Sequence, residues 1–240
     1  MPFFFFDPLF LVFSLPALAL ALYAQWRVRS AYGKWLQVPN RRQVSGLDAA
    51  RQLLAINGLQ HVAVEGTPGE LSDHYDPRTK TLRLSREVAY GSSVASLAIV
   101  AHEVGHAVQD AQGYLPMKIR AGLVPAVQIG SSLGPLLFMV GFMLSIYTGA
   151  EFGYSIAWLG LLLFSAAAIF ALATLPVEFN ASARAREMIG AGVLVGGEGD
   201  LRGTRDVLNA AALTYVAGLA QALAQLLYYA FLLSGARRRD

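Results

Sequence analysis

The sequence predicts a mostly α integral membrane protein in which about four transmembrane helices carry one small α+β domain at the cytoplasmic membrane surface. Three observations lead there. Of the 240 residues, 55% are hydrophobic and only 15% charged, a balance too apolar for a soluble domain of this length. Apolar runs long enough to cross a bilayer recur at 3–24, 121–147, 155–175 and 207–235. One polar stretch, residues 25–120, stands between the first run and the rest.

Composition also limits the chemistry. With no cysteine in the chain, disulfides, thiolate ligands and a cysteine nucleophile are all excluded, which leaves histidine and carboxylate as metal ligands. The net charge is +3. No run interleaves basic with aromatic residues, so the basic residues mark membrane topology and no nucleic-acid partner is expected.

Residues 3–24 are interrupted only by Asp7, Pro8, Ser14 and Pro16. They read as a first span. A cleaved signal peptide is the competing reading, disfavoured because no Lys or Arg precedes the apolar run. Arg27, Arg29, Lys34, Arg41 and Arg42 follow it directly and hold this side in the cytoplasm, with the N-terminus outside.

In the polar stretch, Ser45 can cap a helix whose apolar positions Leu47, Ala50, Leu53 and Leu54 share a face and which ends at Asn57-Gly58. Val62 and Val64 alternate as in a strand. Residues 71–85 read as a hairpin around Asp76-Pro77-Arg78, a sheet edge to which an extended peptide can add, unless both strands are paired within the sheet. Ser92 or Ser93 then caps a helix over 94–112 that Gly113 stops.

That helix holds His102-Glu103-Val104-Gly105-His106 among uncharged neighbours. Histidines four apart lie on one helix face, one turn above the other, where both can grip one divalent ion while Glu103 sits beside the water it binds. The plainer alternative is a helix with two buried histidines. His74 and Tyr75 are further candidates, as donors to a tetrahedral oxyanion.

Only seven residues separate Gly113 from the run at 121–147, so the site lies close to the membrane. Gly130, Gly134 and Gly141 give that run a small-residue face for close helix packing. The connection at 148–153 sits outside, and the span 155–175 returns the chain to the cytoplasm with Pro176, Val177 and Glu178. Two crossings bring the chain back to the side that His106 left. Glu178 is therefore the expected third ligand, with Pro176 as a kink or a fresh helix start. Residues 176–206 form a cytoplasmic segment whose glycines 190, 192, 196, 197, 199 and 203 suggest a surface loop; with no preceding strand or following lysine it is not a nucleotide loop. If 207–235 crosses, Arg237, Arg238 and Arg239 finish outside, against sixteen basic residues inside (19 − 3), so a segment lying along the interface is the alternative.

HEVGHAVQD at 102–110, DHYDP at 73–77, PVEFNASARA at 176–185 and AAALTYVA at 210–217 resemble the YugP-like zinc membrane metallopeptidases over nearly the whole chain. More distantly, the order of HExxH, two spans and a glutamate is similar to the CAAX prenyl proteases and HtpX-like membrane proteases. The resemblance implies a zincin-like catalytic domain, with Zn²⁺ on His102, His106 and Glu178 and with Glu103 as base. The distant relatives support the site with an aspartate four residues beyond the third ligand. Here that position is Ser182; Asp110, one turn after His106 on the same face, is a candidate substitute, with a solvated helix residue as the alternative reading.

Together these readings describe hydrolysis of peptide bonds in membrane or membrane-associated proteins at the cytoplasmic face of the plasma membrane. An inactive zinc-binding scaffold or chaperone-like protein is the second reading. A structural site has no need of Glu103, which is what separates the two. A transporter is disfavoured by spans almost without charge and by halves that do not repeat.

Overall fold

The computed structural model describes residues 8–149, 151–191 and 197–236. Residues 3–7 of the expected first span, two of the expected loop glycines (Gly192 and Gly196) and Arg237, Arg238 and Arg239 lie outside the described residues. In chain order the elements are α1 (Pro8–Leu36), α2 (Gly46–Ile56), β1 (Ala63–Thr67), β2 (His74–Asp76), β3 (Thr81–Ser85), α3 (Arg86–Tyr90), α4 (Val94–Ala111), α5 (Leu115–Thr148), α6 (Glu151–Gly190) and α7 (Glu198–Ala236). The chain is mostly helical, with one small three-stranded sheet. Four helices, α1, α5, α6 and α7, are long and apolar enough to cross a membrane.

The chain divides into two compact units. One takes Met1–Tyr23, Lys118–Leu175 and Tyr215–Asp240; the other takes Ala24–Met117 and Pro176–Thr214. In the first, the glycines of α5 rest on the backbone of α6. A Cβ at Gly130 would stand 2.2 Å from the Leu163 carbonyl oxygen, and one at Gly141 would stand 2.3 Å from the Ala157 nitrogen. Their role is packing, as the spacing predicted. Phe138 stacks on both Phe142 and Tyr229, with ring centroids 5.7 and 3.9 Å apart.

The second unit is built around α4, which is buried on almost every side. Ser45 caps α2 by accepting the Asp48 N–H at 3.2 Å, and Ala49, Ala50, Leu53 and Leu54 turn inward. The strands run in the order β1-β3-β2, with β3 parallel to β1 and antiparallel to β2. Leu82 and Leu84 of β3 enter the core. Asp76 shapes the turn between β2 and β3: its carboxylate accepts the Arg78 N–H at 2.9 Å and the Thr79 hydroxyl at 3.0 Å. Within this unit Asp206 of α7 receives Arg27 and Trp35 of α1, each at 2.9 Å.

Three boundaries differ from the sequence reading. Helix α1 continues through the basic residues to Leu36, because nothing between Ala24 and Leu36 breaks a helix. Helix α6 runs unbroken through Pro176, so Glu178 belongs to the same rod as the third apolar run. Helix α7 begins at Glu198, with Glu198 and Asp200 favouring its first turn, so Gly199 and Gly203 of the expected glycine loop are helical. Gly203 lies inside that helix, where a Cβ would meet the Trp35 ring at 2.5 Å, so it serves contact and not a turn.

Candidate metal centre

Helix α4 starts where Ser93 Oγ accepts the Ser96 N–H at 3.0 Å. It ends at Gln112, after which Gly113 takes a left-handed φ of 65°. One helical turn sets the His102 and His106 rings 4.8 Å apart and nearly perpendicular, at 85°. Gly105 occupies the turn between them. A Cβ there would stand 2.8 Å from the Ala181 carbonyl oxygen of α6, so the missing side chain is what lets α6 lie against α4 at this level.

Glu178 comes to the histidines through that contact. Its Oε2 stands 3.2 Å from His102 Nε2 and 3.4 Å from His106 Nε2, and all three side chains are buried. With bonds of about 2.0–2.2 Å, the ligands of a tetrahedral zinc stand about 3.3–3.6 Å apart. The two separations from Glu178 lie close to that edge, and all three ligand atoms are within 4.8 Å of one another. Two neutral imidazoles and one carboxylate, with no thiolate, also suit a catalytic zinc that keeps a position for water. The donor set and its spacing therefore fit the ion.

Each histidine is held from behind by a neutral group. His102 Nδ1 is 3.2 Å from Ser182 Oγ, and His106 Nδ1 is 3.0 Å from Gln109 Oε1. Asp110, the expected support, points elsewhere: it accepts the Tyr75 hydroxyl at 2.7 Å and pairs with Lys80. Sequence reasoning weighed Asp110 as a support against a solvated helix residue and missed Gln109, although Gln109 lies three residues after His106 and therefore on the same face.

Glu103 is buried beside this cluster and is not one of the three residues that could hold a metal ion. Burial pushes its carboxyl above the ordinary range, against the pull of His102 and His106, while Glu178 and Asp73 add repulsion. Its Oε2 accepts the Tyr75 backbone N–H at 3.0 Å. Strand β2 therefore pairs with β3 on one side and turns the Tyr75 amide toward Glu103 on the other. The hairpin is an edge on this side.

His74 is not brought into the cluster. Side chains alternate along β2, so the buried Tyr75 faces α4 while His74 is exposed, with its Nδ1 2.8 Å from the Ser72 carbonyl. The Tyr75 hydroxyl is engaged by Asp110. What the hairpin offers the site is the main chain of Tyr75.

A family profile described as "Putative neutral zinc metallopeptidase" matches residues 10–234. The chain is 40% identical over 234 residues to the "Putative membrane protease YugP" of Bacillus subtilis (strain 168), covering 95% of this chain and 98% of that one. No solved structure matches.

Proposed function

The chain belongs to the neutral zinc metallopeptidase family, and on that premise we propose that it is a membrane-embedded, zinc-dependent endopeptidase acting on membrane or membrane-associated proteins. The observation that carries the proposal is the placement of one Glu178 oxygen at 3.2 and 3.4 Å from the two imidazoles, with a second buried carboxylate, Glu103, left outside that set. A site that only held structure together would not need the second carboxylate.

His102, His106 and Glu178 would hold a zinc ion. Such an ion would supply Lewis acidity toward a peptide carbonyl and would make a nearby water more acidic. Glu103 takes the proton from that water and delivers it to the leaving amine; its shielding from solvent keeps the carboxylate available as a proton carrier. The Tyr75 amide on the free edge of β2 receives the extended substrate by main-chain hydrogen bonding and releases Glu103 as it does so. His74 has no part in this reading, because its imidazole lies on the other face of the sheet.

The basic residues near the spans support a site facing the cytoplasmic side of the plasma membrane. Glu178 follows the apolar run 155–175 by three residues, which supports substrates presented at the membrane surface.

The test compares wild type with Glu103→Gln in detergent. Both should bind about one zinc per chain. The wild type should cleave an unfolded protein in a chelator-sensitive way, and the variant should be slower by about 10²–10⁴-fold. Equal cleavage by the two would overturn the role of Glu103. Wild type prepared without chelators that carries no stoichiometric metal would overturn the zinc site.

A further inference from the structure

We infer that Gln109 is a positioning residue of this metal site: it fixes the tautomer of His106 and ties that ring to the helix carrying Glu178. The inference rests on the zinc reading above and adds to it a residue outside the motif.

Gln109 is fully buried, so each of its polar atoms has to find a protein partner. Its orientation follows from groups whose roles are fixed. Arg184 Nε can only donate, and it does so to Asn180 Oδ1 at 2.7 Å. The Gln109 atom 2.9 Å from that same oxygen must therefore be its amide nitrogen. The Val177 carbonyl can only accept, and it takes the second hydrogen of that nitrogen at 2.8 Å. With both hydrogens spent, the atom facing His106 is Oε1, an acceptor. Nδ1, at 3.0 Å from Oε1, must therefore carry a hydrogen. In the neutral imidazole that a metal ligand requires, that hydrogen is the ring's single N–H, so the lone pair is on Nε2, the nitrogen 3.4 Å from Glu178.

Two consequences meet in one side chain. The acceptor sets the protonation pattern of the second ligand, and the donors grip the carbonyl of the residue immediately before the third. Gln109 therefore holds His106 and Glu178 in one register across α4 and α6. The corresponding contact on the other ligand, Ser182 Oγ to His102 Nδ1, also joins α6 to α4, but through a single hydroxyl.

Glutamate at position 109 keeps an oxygen for His106 and, when protonated, one of the two donors. Methionine keeps the volume and offers neither. Zinc affinity is measured by competition with a chromophoric chelator, on intact protein in detergent, alongside the melting temperature of the metal-free protein. Gln109→Met should weaken zinc by about 10–100-fold. Gln109→Glu should stay within about threefold of wild type. In zinc-loaded protein with ¹⁵N-labelled histidine, wild type and Gln109→Glu should show a protected Nδ1–H for His106, identified by its loss in His106→Ala, and Gln109→Met should not.

Unchanged zinc affinity in a folded Gln109→Met overturns the inference. Equal losses in Met and Glu variants, following their losses in melting temperature, reduce Gln109 to a helix-packing residue and overturn it too. A wild type that takes up no zinc fails differently, since it removes the metal reading on which this one stands.

Discussion

At position 178, replacement of glutamate by glutamine keeps an oxygen within reach of both imidazoles while removing the charge that partly neutralises a divalent ion. Glu178→Gln should lose more zinc affinity than the about 10–100-fold typical of outer partners, and chelator competition measures it. Ser182→Ala should fall inside that range, because it removes only the contact behind His102. The two values ranked the other way would mean that Glu178 is not a ligand. Individual residues were legible where a rule of spacing applied. The four-residue interval and the parity of expected crossings singled out His102, His106 and Glu178, whose ligand atoms lie within 4.8 Å of one another. Gln109, three residues after His106, fell under the same rule of spacing and was passed over; its bonds to Val177 and Asn180 of α6 leave no local mark in the sequence. His74 was named although strand alternation already opposed it to Tyr75.

Between elements, the contact of Gly105 with Ala181 sets how deeply α6 lies against α4. Gly105→Ala should cost about 1–3 kcal/mol of stability through overpacking and should weaken zinc as well, since Glu178 reaches the histidines along that contact. Thermal melting with and without zinc checks this; a variant that melts and binds like wild type would refute the contact. The turn after β2 makes a pH prediction. Hydrogen bonding by the Arg78 N–H, with smaller help from Arg83 and Thr79 and against some desolvation, holds the Asp76 carboxyl at about 2, below its ordinary 3.8. A depressed folded value contributes stability that is present above the unfolded value and lost as pH falls through about 2. Asp76→Asn should therefore be less stable near neutrality and should lose less on acidification, as melts across that interval will record. The turn, the α2 cap and the α4 cap were all readable from local residue types. The parallel pairing of β1 with β3 was not, because a parallel register is fixed by contacts across 18 positions, as between Ala63 and Thr81, and leaves no local mark.

For the whole molecule, the absence of cysteine allows sidedness to be mapped one substitution at a time. Arg51, Thr148 and Gly235 are exposed. With four crossings and a cytoplasmic catalytic unit, Thr148→Cys and Gly235→Cys should react with an impermeant maleimide in intact cells, and Arg51→Cys only after permeabilisation. Labelling of Gly235→Cys together with Arg51→Cys would instead leave α7 on one side of the bilayer. Composition made four long apolar helices legible, but their ends were not, since α1, α6 and α7 all continue past their apolar runs into charged sequence. The shared rod of α6 also bears on time. Glu178 follows His102 by 76 residues, with all of α5 and most of α6 between them. A ribosome therefore completes α5 and the apolar run 155–175 before it adds this carboxylate, and a chain truncated before residue 178 carries His102, Glu103 and His106 without Glu178. The His-His-Glu group cannot form before both apolar runs have been made.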